Sequence, residues 1–128
     1  MSNMTPISPE QVLSVINNDI EYKNVEWRGL NIVIRPAISF RETSQFINSV
    51  MSGCLNNDKD VFVPEAIDFA FRLNTVMRYT NIILPDAIED QYRILYCTDI
   101  YSTVCENINE EQLSSIRYAV EIFVKSLH

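Results

Sequence analysis

Four carboxylates in the second half of the chain are of a type that could perform chemistry: Asp86, Glu89, Asp90 and Asp99. Such groups supply oxygen ligands to a hard cation, or the paired acid and base of a hydrolase. The first three also suit the first turns of a helix, where negative charge complements the helix dipole and faces solvent. Their spacing fits no EF-hand loop, so we favour this second interpretation. A later helix start explains Glu106, Glu110 and Glu111 in the same way.

Other residue types on which enzymes depend are sparse. The sole histidine, His128, is the last residue of the sequence, which excludes a Ser-His-Asp or Cys-His nucleophile system. The two glycines lie far apart, whereas a phosphate-binding loop needs them clustered before a helix. Three dispersed cysteines do not make a tetrahedral zinc site, and we expect them to be buried and reduced: Cys54, Cys97 and Cys105. We therefore predict no enzyme, no catalytic residue, no metal site and no cofactor.

Composition and charge limit the classes of partner. The chain has 10 basic and 17 acidic residues, and its net charge of −7 repels phosphate backbones, so we expect no direct binding of nucleic acid. Its apolar runs are far shorter than the roughly 20 residues of a membrane span, so we expect no membrane insertion. Residues 1–6 lack the basic and apolar regions of a secretion signal. We expect a soluble, cytoplasmic protein.

The N-terminal segment, residues 1–19, contains a predicted short helix. Ser8 can cap it, Pro9 suits its first position, and Gln11 stands three residues after the cap. Its apolar side chains are Val12, Leu13, Val15 and Ile16. A helix of about two turns is marginal in water, so this segment either docks on the rest of the protein or stays mobile.

Residues 20–36 alternate with a period of about two and predict a β-hairpin. Arg28-Gly29 forms the predicted tight turn because glycine accepts the positive φ that the turn demands, and Pro36 closes the second strand. Two strands alone are unstable in water. The hairpin must therefore lie on the helices or pair with a strand of a partner.

Residues 39–128 form a predicted helical body. Ser39 and Glu42 make a capping box at the start of its first helix. This first helix ends near Leu55. Three more helices are predicted: one from Pro64 to about Tyr79, one from about Pro85 to Val104, and a last one that begins at Asn109 and Gln112. Helical periodicity places Met77, Ile88 and Tyr92 on buried faces. We predict one domain, residues 1–128, that is α+β and mostly α: a short helix and a hairpin followed by a bundle of four helices.

Aromatic rings with polar tips are more numerous than a simple core needs, and such rings are enriched at protein interfaces. We expect most of them to serve the core and some to lie in a partner surface. Together with the exposed side of the hairpin, they give five candidate partner-binding residues: Trp27, Leu30, Ile32, Tyr79 and Tyr101.

Four stretches carry a resemblance to a known family: Glu26-Trp27-Arg28-Gly29-Leu30-Asn31-Ile32-Val33-Ile34, Phe62-Val63-Pro64-Glu65, Tyr79-Thr80-Asn81-Ile82-Ile83-Leu84-Pro85 and Ile108-Asn109-Glu110-Glu111-Gln112-Leu113. In their order the chain resembles small phage proteins that act as tail assembly chaperones. The resemblance implies a non-enzymatic protein of the host cytoplasm that shields the tape-measure or tail-tube protein before the tail assembles. It offers no catalytic residues to carry over.

The sequence suggests four functions, which differ in how well its features support them. The favoured hypothesis is a protein-binding module, an assembly chaperone or scaffold that captures a partner segment in an apolar groove or along the hairpin edge and that forms an oligomer or complex. The alternatives are an acidic phage-type inhibitor of a nucleic-acid-binding protein and a structural component of a virion. A hydrolase that uses the carboxylates and a metal is disfavoured.

Overall fold

The computed structural model describes residues 4–16, 21–55 and 64–126. Predictions for the remaining residues, Leu127 and His128 among them, lie outside these ranges. Within them the chain forms six helices and one antiparallel hairpin: α1 (Pro9–Ile16), β1 (Lys23–Trp27), β2 (Leu30–Ile34), α2 (Phe40–Leu55), α3 (Pro64–Tyr79), α4 (Ile88–Tyr96), α5 (Ile100–Cys105) and α6 (Glu110–Ser126). The fold is α+β and mostly helical, as predicted.

Side-chain caps begin the first two helices where the sequence predicts them. The N–H of Gln11 donates to Ser8 Oγ at 3.2 Å, and the N–H of Ser8 donates to Gln11 Oε1 at 2.8 Å. At α2 the N–H of Glu42 donates to Ser39 Oγ at 3.1 Å. These bonds satisfy backbone donors that the first turn of a helix leaves without partners. The predicted starts of α1 and α2 are confirmed.

The hairpin turn is also as predicted. Trp27 pairs with Leu30, and the two residues between them have positive φ angles, 51° at Arg28 and 83° at Gly29. Two positive φ angles in a two-residue loop define a type I′ turn, whose twist matches that of the strands. Gly29 adopts this conformation without cost, whereas Arg28 does so against a steric penalty.

The end of α3 supports the hairpin on its β2 side. Ile34 forms an isolated antiparallel bridge with Thr80. The N–H of Arg35 donates to the carbonyl of Tyr79 at 2.7 Å, and the N–H of Asn81 donates to that of Val33 at 3.2 Å. Of the two predicted ways to stabilise the hairpin, the fold uses packing on the helices.

The predicted helix from Pro85 to Val104 is wrong as a single element, because the chain breaks between α4 and α5. Thr98 explains the break: its hydroxyl donates to the carbonyl of Ile94 at 2.6 Å and accepts from the N–H of Ile100 at 3.2 Å. A threonine side chain that bonds nearby backbone groups competes with the helical ladder. The helical body therefore contains five described helices rather than four.

Helix α3 lies at the centre of the body, with Phe71, Val76 and Tyr79 buried in the main core. The ring of Phe71 meets that of Phe46 of α2 edge to face, with centroids 5.0 Å apart. Its buried polar side chains bond within the helix, as in the 2.8 Å bond from the hydroxyl of Thr75 to the carbonyl of Phe71. The expectation that Met77, Ile88 and Tyr92 are buried is wrong, because these side chains are 44%, 70% and 47% exposed.

Helix α6 closes the body and is the longest described element, with 17 residues. Leu113, Ile116 and Val120 form its buried stripe, spaced as an amphipathic helix requires. Among the described helices, none combines the length and the apolar character that crossing a bilayer would require.

Candidate functional site

The carboxylates considered for catalysis lie on exposed surface. Asp99 accepts a hydrogen bond from Trp27 Nε1 at 2.8 Å and lies 3.9 Å from the guanidinium of Arg28. Asp90 lies 4.0 Å from the guanidinium of Arg93 on the same helix. Within residues 4–16, 21–55 and 64–126, no group of three or more His, Cys, Asp or Glu side chains is arranged to hold a metal ion.

The five predicted partner-binding residues fall into three classes of exposure. Ile32 and Tyr79 lie in the core, 3% and 0% exposed: Ile32 is on the face of β2 that packs on the helices, and Tyr79 ends the central helix α3. Trp27 and Tyr101 are half-buried and pack against the core. Leu30 is 61% exposed. The structure therefore leaves Leu30 mostly accessible, and Trp27 and Tyr101 in part.

Tyr79 is packed in the core with its hydroxyl satisfied by a specific polar contact. Its hydroxyl donates to Gln112 Oε1 at 2.7 Å, so the phenol is satisfied inside the protein. Burial raises the pKa of Tyr79 well above its ordinary value, with the negative charge of Glu42 adding to the effect and the positive charge of Arg35 opposing it. This tyrosine is a structural group that joins α3 to α6.

An arginine between aromatic rings joins α3, α4 and α5. The guanidinium of Arg72 lies 4.3 Å from the ring centre of Tyr96 and 4.6 Å from that of Tyr101. Both the Nε of Arg72 and the hydroxyl of Tyr96 donate to Asp68 Oδ2, at 3.1 and 2.7 Å. Tyr92 stacks on the outer side of Tyr96 with centroids 4.7 Å apart. Tyr96 and Tyr101 thus make cation–π and hydrogen-bonding contacts within the protein, whereas Tyr92 and Tyr118 remain exposed.

A second arginine continues this cluster into α6. The Nη2 of Arg117 donates to the hydroxyl of Tyr101 at 3.0 Å, and its guanidinium lies 4.5 Å from the ring centre of Phe71. Burial is the main reason why the pKa of Tyr101 is raised to about 12, and nearby Cys105 adds to the shift. These contacts tie the short helix α5 to its neighbours.

The expectation of buried cysteines is wrong for Cys97, whose side chain is exposed at the break after α4. Cys105 is half-buried, and burial raises the pKa of its thiol. The side chain of Cys54 lies outside the described set. The apolar neighbours of Cys97 suggested burial, but its N–H still bonds the carbonyl of Arg93, so it lies one turn after that exposed residue on the solvent side of the helix.

Helix α1 forms one candidate binding surface, since every residue in it is exposed. Its apolar side chains occupy one side of the helix: Val12, Leu13, Val15 and Ile16. The sequence predicted the helix and its apolar residues but left open whether they dock on the body. In the structure none of them is buried.

An apolar groove beside the end of α3 is a second candidate surface. It has a volume of about 460 Å³, and its apolar lining includes Leu73, Met77, Ile82, Ile83 and Leu84. Ile83 is 94% exposed. Sequence reasoning treated residues 80–84 as a connector and missed this surface. The signal was the apolar run Ile82-Ile83-Leu84 before Pro85, which belongs to no predicted helix or strand.

Comparison with known proteins gives no relative: no protein-family model matches the sequence, and no curated protein or solved structure is significantly similar to it.

Proposed function

We propose that this protein is a non-enzymatic protein-binding module that resembles phage tail assembly chaperones and that shields a partner structural protein. The observation that carries the proposal is α1, a capped amphipathic helix whose residues are all exposed on a chain with a well-formed core elsewhere. Clustered apolar side chains on a protein surface are costly in water and usually mark an interaction site.

The chemistry of α1 specifies how it would bind. A helix of eight residues gains little stability from its own hydrogen bonds and depends on contacts with another surface. Side chains at positions i, i+1, i+3 and i+4 form a compact apolar patch of the kind that anchors a helix in a groove. Val12, Leu13, Val15 and Ile16 have this spacing.

The apolar groove beside α3 offers the complementary mode, in which this protein receives an apolar segment of its partner. Leu73, Met77 and Ile83 provide aliphatic and thioether surface, and methionine adapts to partners of different shape. The net charge of −7 lies on a chain whose apolar surfaces would be covered in the complex. Such a charge keeps the complex of a chaperone and an aggregation-prone protein in solution.

The test is co-expression with a tape-measure or tail-tube protein that aggregates when expressed alone. Leu13→Ser combined with Ile16→Ser removes the centre of the apolar patch, and we expect it to weaken binding by about tenfold or more. Glu10→Ser, on the polar side of α1, is the matched control and should bind like the wild type. Because α1 buries no residue, the melting temperature should be the same in all three proteins.

Three results would contradict the proposal or redirect it. Equal recovery of the soluble partner with the double variant and the wild type would remove α1 as the binding element. Salt-sensitive binding to a nucleic-acid-binding protein, without binding to a tail protein, would favour the acidic inhibitor instead. Retention of the protein in finished particles would favour a virion component.

A further inference from the structure

Among residues 4–16, 21–55 and 64–126, no strand pairs with the outer edge of β1. Both backbone groups of Val33 engage Asn81, whose N–H donates to the Val33 carbonyl and whose Oδ1 accepts from the Val33 N–H at 3.0 Å. The backbone groups of Val33 therefore point away from β1. Because Asn24 is paired with Val33, the antiparallel ladder makes the groups of Asn24 point away from β2 as well.

The same alternation holds two residues further along β1. Glu26 pairs with Asn31, and its N–H and C=O point to the outer side, whereas those of Val25 and Trp27 face β2. The outer edge of β2 is already engaged by Thr80 and Asn81. Within the part of the chain that the structure describes, β1 is thus the edge of the hairpin whose outward backbone groups have no strand beside them.

We propose that a second copy of this chain pairs its own β1 with this edge, antiparallel, about a twofold axis that passes beside Val25. In this register Asn24 of each copy faces Glu26 of the other, and both have their backbone groups directed outward. The pairing joins all five residues of each strand, Lys23–Trp27, and produces a four-stranded sheet in the order β2-β1-β1-β2.

Side-chain charges favour this register over its neighbours. In an antiparallel pair, a residue whose backbone N–H and C=O point to the partner strand lies opposite a residue whose groups do the same. The register can therefore shift only in steps that keep Asn24 and Glu26 opposite residues of this kind. One shift places Glu26 opposite Glu26, which brings like charges together. The opposite shift pairs Glu26 with Tyr22, which precedes β1, and shortens the ladder. The central register opposes no like charges.

The central register also pairs specific side chains of the two β1 strands. It places Lys23 of one copy opposite Trp27 of the other, whose indole lies against the guanidinium of Arg28 and donates to the carboxylate of Asp99. A lysine on an edge strand ordinarily discourages pairing. Here no lysine of the mate lies opposite it, and the carboxylate of Asp99 beside Trp27 offers the ammonium group an opposite charge. This self-complementarity of Lys-Asn-Val-Glu-Trp identifies a second copy as the occupant of the edge.

Cysteine cross-linking tests the register directly. Val25 faces Val25 across the axis as a non-hydrogen-bonded pair, for which Cα atoms lie about 4.5 Å apart, within the range of a disulfide. Glu26→Cys is the matched control, because the two Glu26 Cα atoms would lie about 9 Å apart, beyond the limit of about 7 Å. Both variants are made with Cys97→Ser, since the native thiol there is exposed.

We expect Val25→Cys to form a disulfide-linked dimer under mild oxidation and Glu26→Cys to remain unlinked. We also expect light scattering to show that the fraction of dimer in the uncross-linked protein increases with protein concentration. Glu26→Pro removes an N–H that points outward while leaving the bonds between β1 and β2 in place, so it should give a monomer at every concentration. The emission of Trp27, the sole tryptophan, reports whether the hairpin of this variant remains folded.

Several outcomes would overturn the proposal. A wild-type protein that stays monomeric at the concentrations of an NMR sample excludes self-pairing. Equal cross-linking of Val25→Cys and Glu26→Cys excludes the register, and a dimer that persists in folded Glu26→Pro places the contact elsewhere. None of these results depends on the tail-protein partner, so this inference can fail while the proposed chaperone function stands.

Discussion

The side-chain amide of Gln112 pairs with the backbone of Ile38 much as one strand pairs with another. The N–H of Ile38 donates to Gln112 Oε1 at 2.9 Å, and Gln112 Nε2 donates to the carbonyl of Ile38 at 2.9 Å. The N–H of Asn109 donates to the carbonyl of Pro36 at 2.7 Å, just beside this contact. The start of α6 thus holds the segment that leaves the hairpin, 74 residues away in sequence.

Removing this amide should destabilise the whole body. Gln112→Ala leaves the backbone groups of Ile38 and the hydroxyl of Tyr79 without their partner. We expect the free energy of unfolding to fall by about 3 kcal/mol, since buried polar groups without partners are costly. Glu111→Ala, one residue earlier and exposed, should change it little. Urea denaturation measures both, and equal small losses in the two variants would contradict the role of Gln112.

The ion pair between Arg35 and Glu42 predicts a loss of stability in acid. Glu42 accepts two hydrogen bonds from the Arg35 guanidinium, which also donates to the carbonyl of Arg78. Bonding to Arg35 is the largest cause of the lowered pKa of Glu42, below its ordinary 4.5. The carboxylate therefore stabilises the fold above pH 4.5, and this contribution is lost as the pH falls through the lowered pKa.

Glu42→Gln tests this pH dependence while it keeps a residue that suits the capping box. We expect the variant to be less stable near neutral pH by about 1 kcal/mol, because the pair is partly exposed. Its stability should then depend less on pH below 4.5 than that of the wild type. Glu89→Gln, which removes an exposed carboxylate from the first turn of α4, is the control. Parallel acid titrations of wild type and Glu42→Gln would contradict the assignment.

Tyr101 predicts a loss of stability in alkali. Burial raises its pKa to about 12, so its phenol stays neutral in the folded protein at a pH where the unfolded chain ionises, near 10.0. The resulting stabilisation is full below pH 10.0 and declines as the pH rises above it. In Tyr101→Phe the decline should be weaker, whereas exposed Tyr118→Phe should behave like the wild type. Urea unfolding across this pH range measures the decline in the wild type and in both variants, and an equal decline in all three would contradict the role of Tyr101.

The contact between Trp27 and Asp99 fixes the tip of the hairpin on the junction of α4 and α5. Asp99 precedes α5, but its side chain caps no backbone N–H there, so Asp99→Ala tests the contact with the indole. We expect a loss of about 1 kcal/mol for an exposed hydrogen bond to a charged acceptor, and a red-shifted Trp27 emission. Asp90→Ala is the control. Unchanged fluorescence in Asp99→Ala would show that the indole is held by packing alone.

The two described thiols should differ in reactivity. Cys97 is exposed, whereas Cys105 is half-buried and burial raises the pKa of its thiol, which lowers the thiolate fraction that reacts. We expect an alkylating reagent at neutral pH to modify Cys97 at least about tenfold faster than Cys105. Mass spectrometry of the peptides follows each thiol separately. Faster modification of Cys105 would contradict the placement of α5.

The role of Asn109 and Gln112 illustrates where sequence reasoning reaches its limit. The sequence predicts that these residues begin a helix, and the N–H of Gln112 does donate to Asn109 Oδ1 at 2.9 Å. The pattern also predicts that the Gln112 side chain returns to the backbone of Asn109. It bonds Ile38 and Tyr79 instead, because a nearby segment of the fold offers it three polar groups that the sequence does not reveal.

The candidate binding surfaces show the same limit. Alternation along β2 predicts that Leu30 and Ile32 share one face, but only the position of the helices decides that Ile32 is covered and Leu30 is not. Likewise, the apolar run near Ile83 is visible in the sequence, while its exposure depends on how the chain leaves α3.

By itself, the sequence determined the features that depend on residues within three or four positions of one another: the caps at Ser8 and Ser39 and the turn at Arg28-Gly29. Such contacts form in almost any surroundings because both partners belong to the same turn. Only the tertiary structure decided that the chain breaks near Thr98 and that Tyr79 is buried. Those outcomes depend on which distant surfaces meet, and hydrophobic periodicity specifies an apolar face without specifying what covers it.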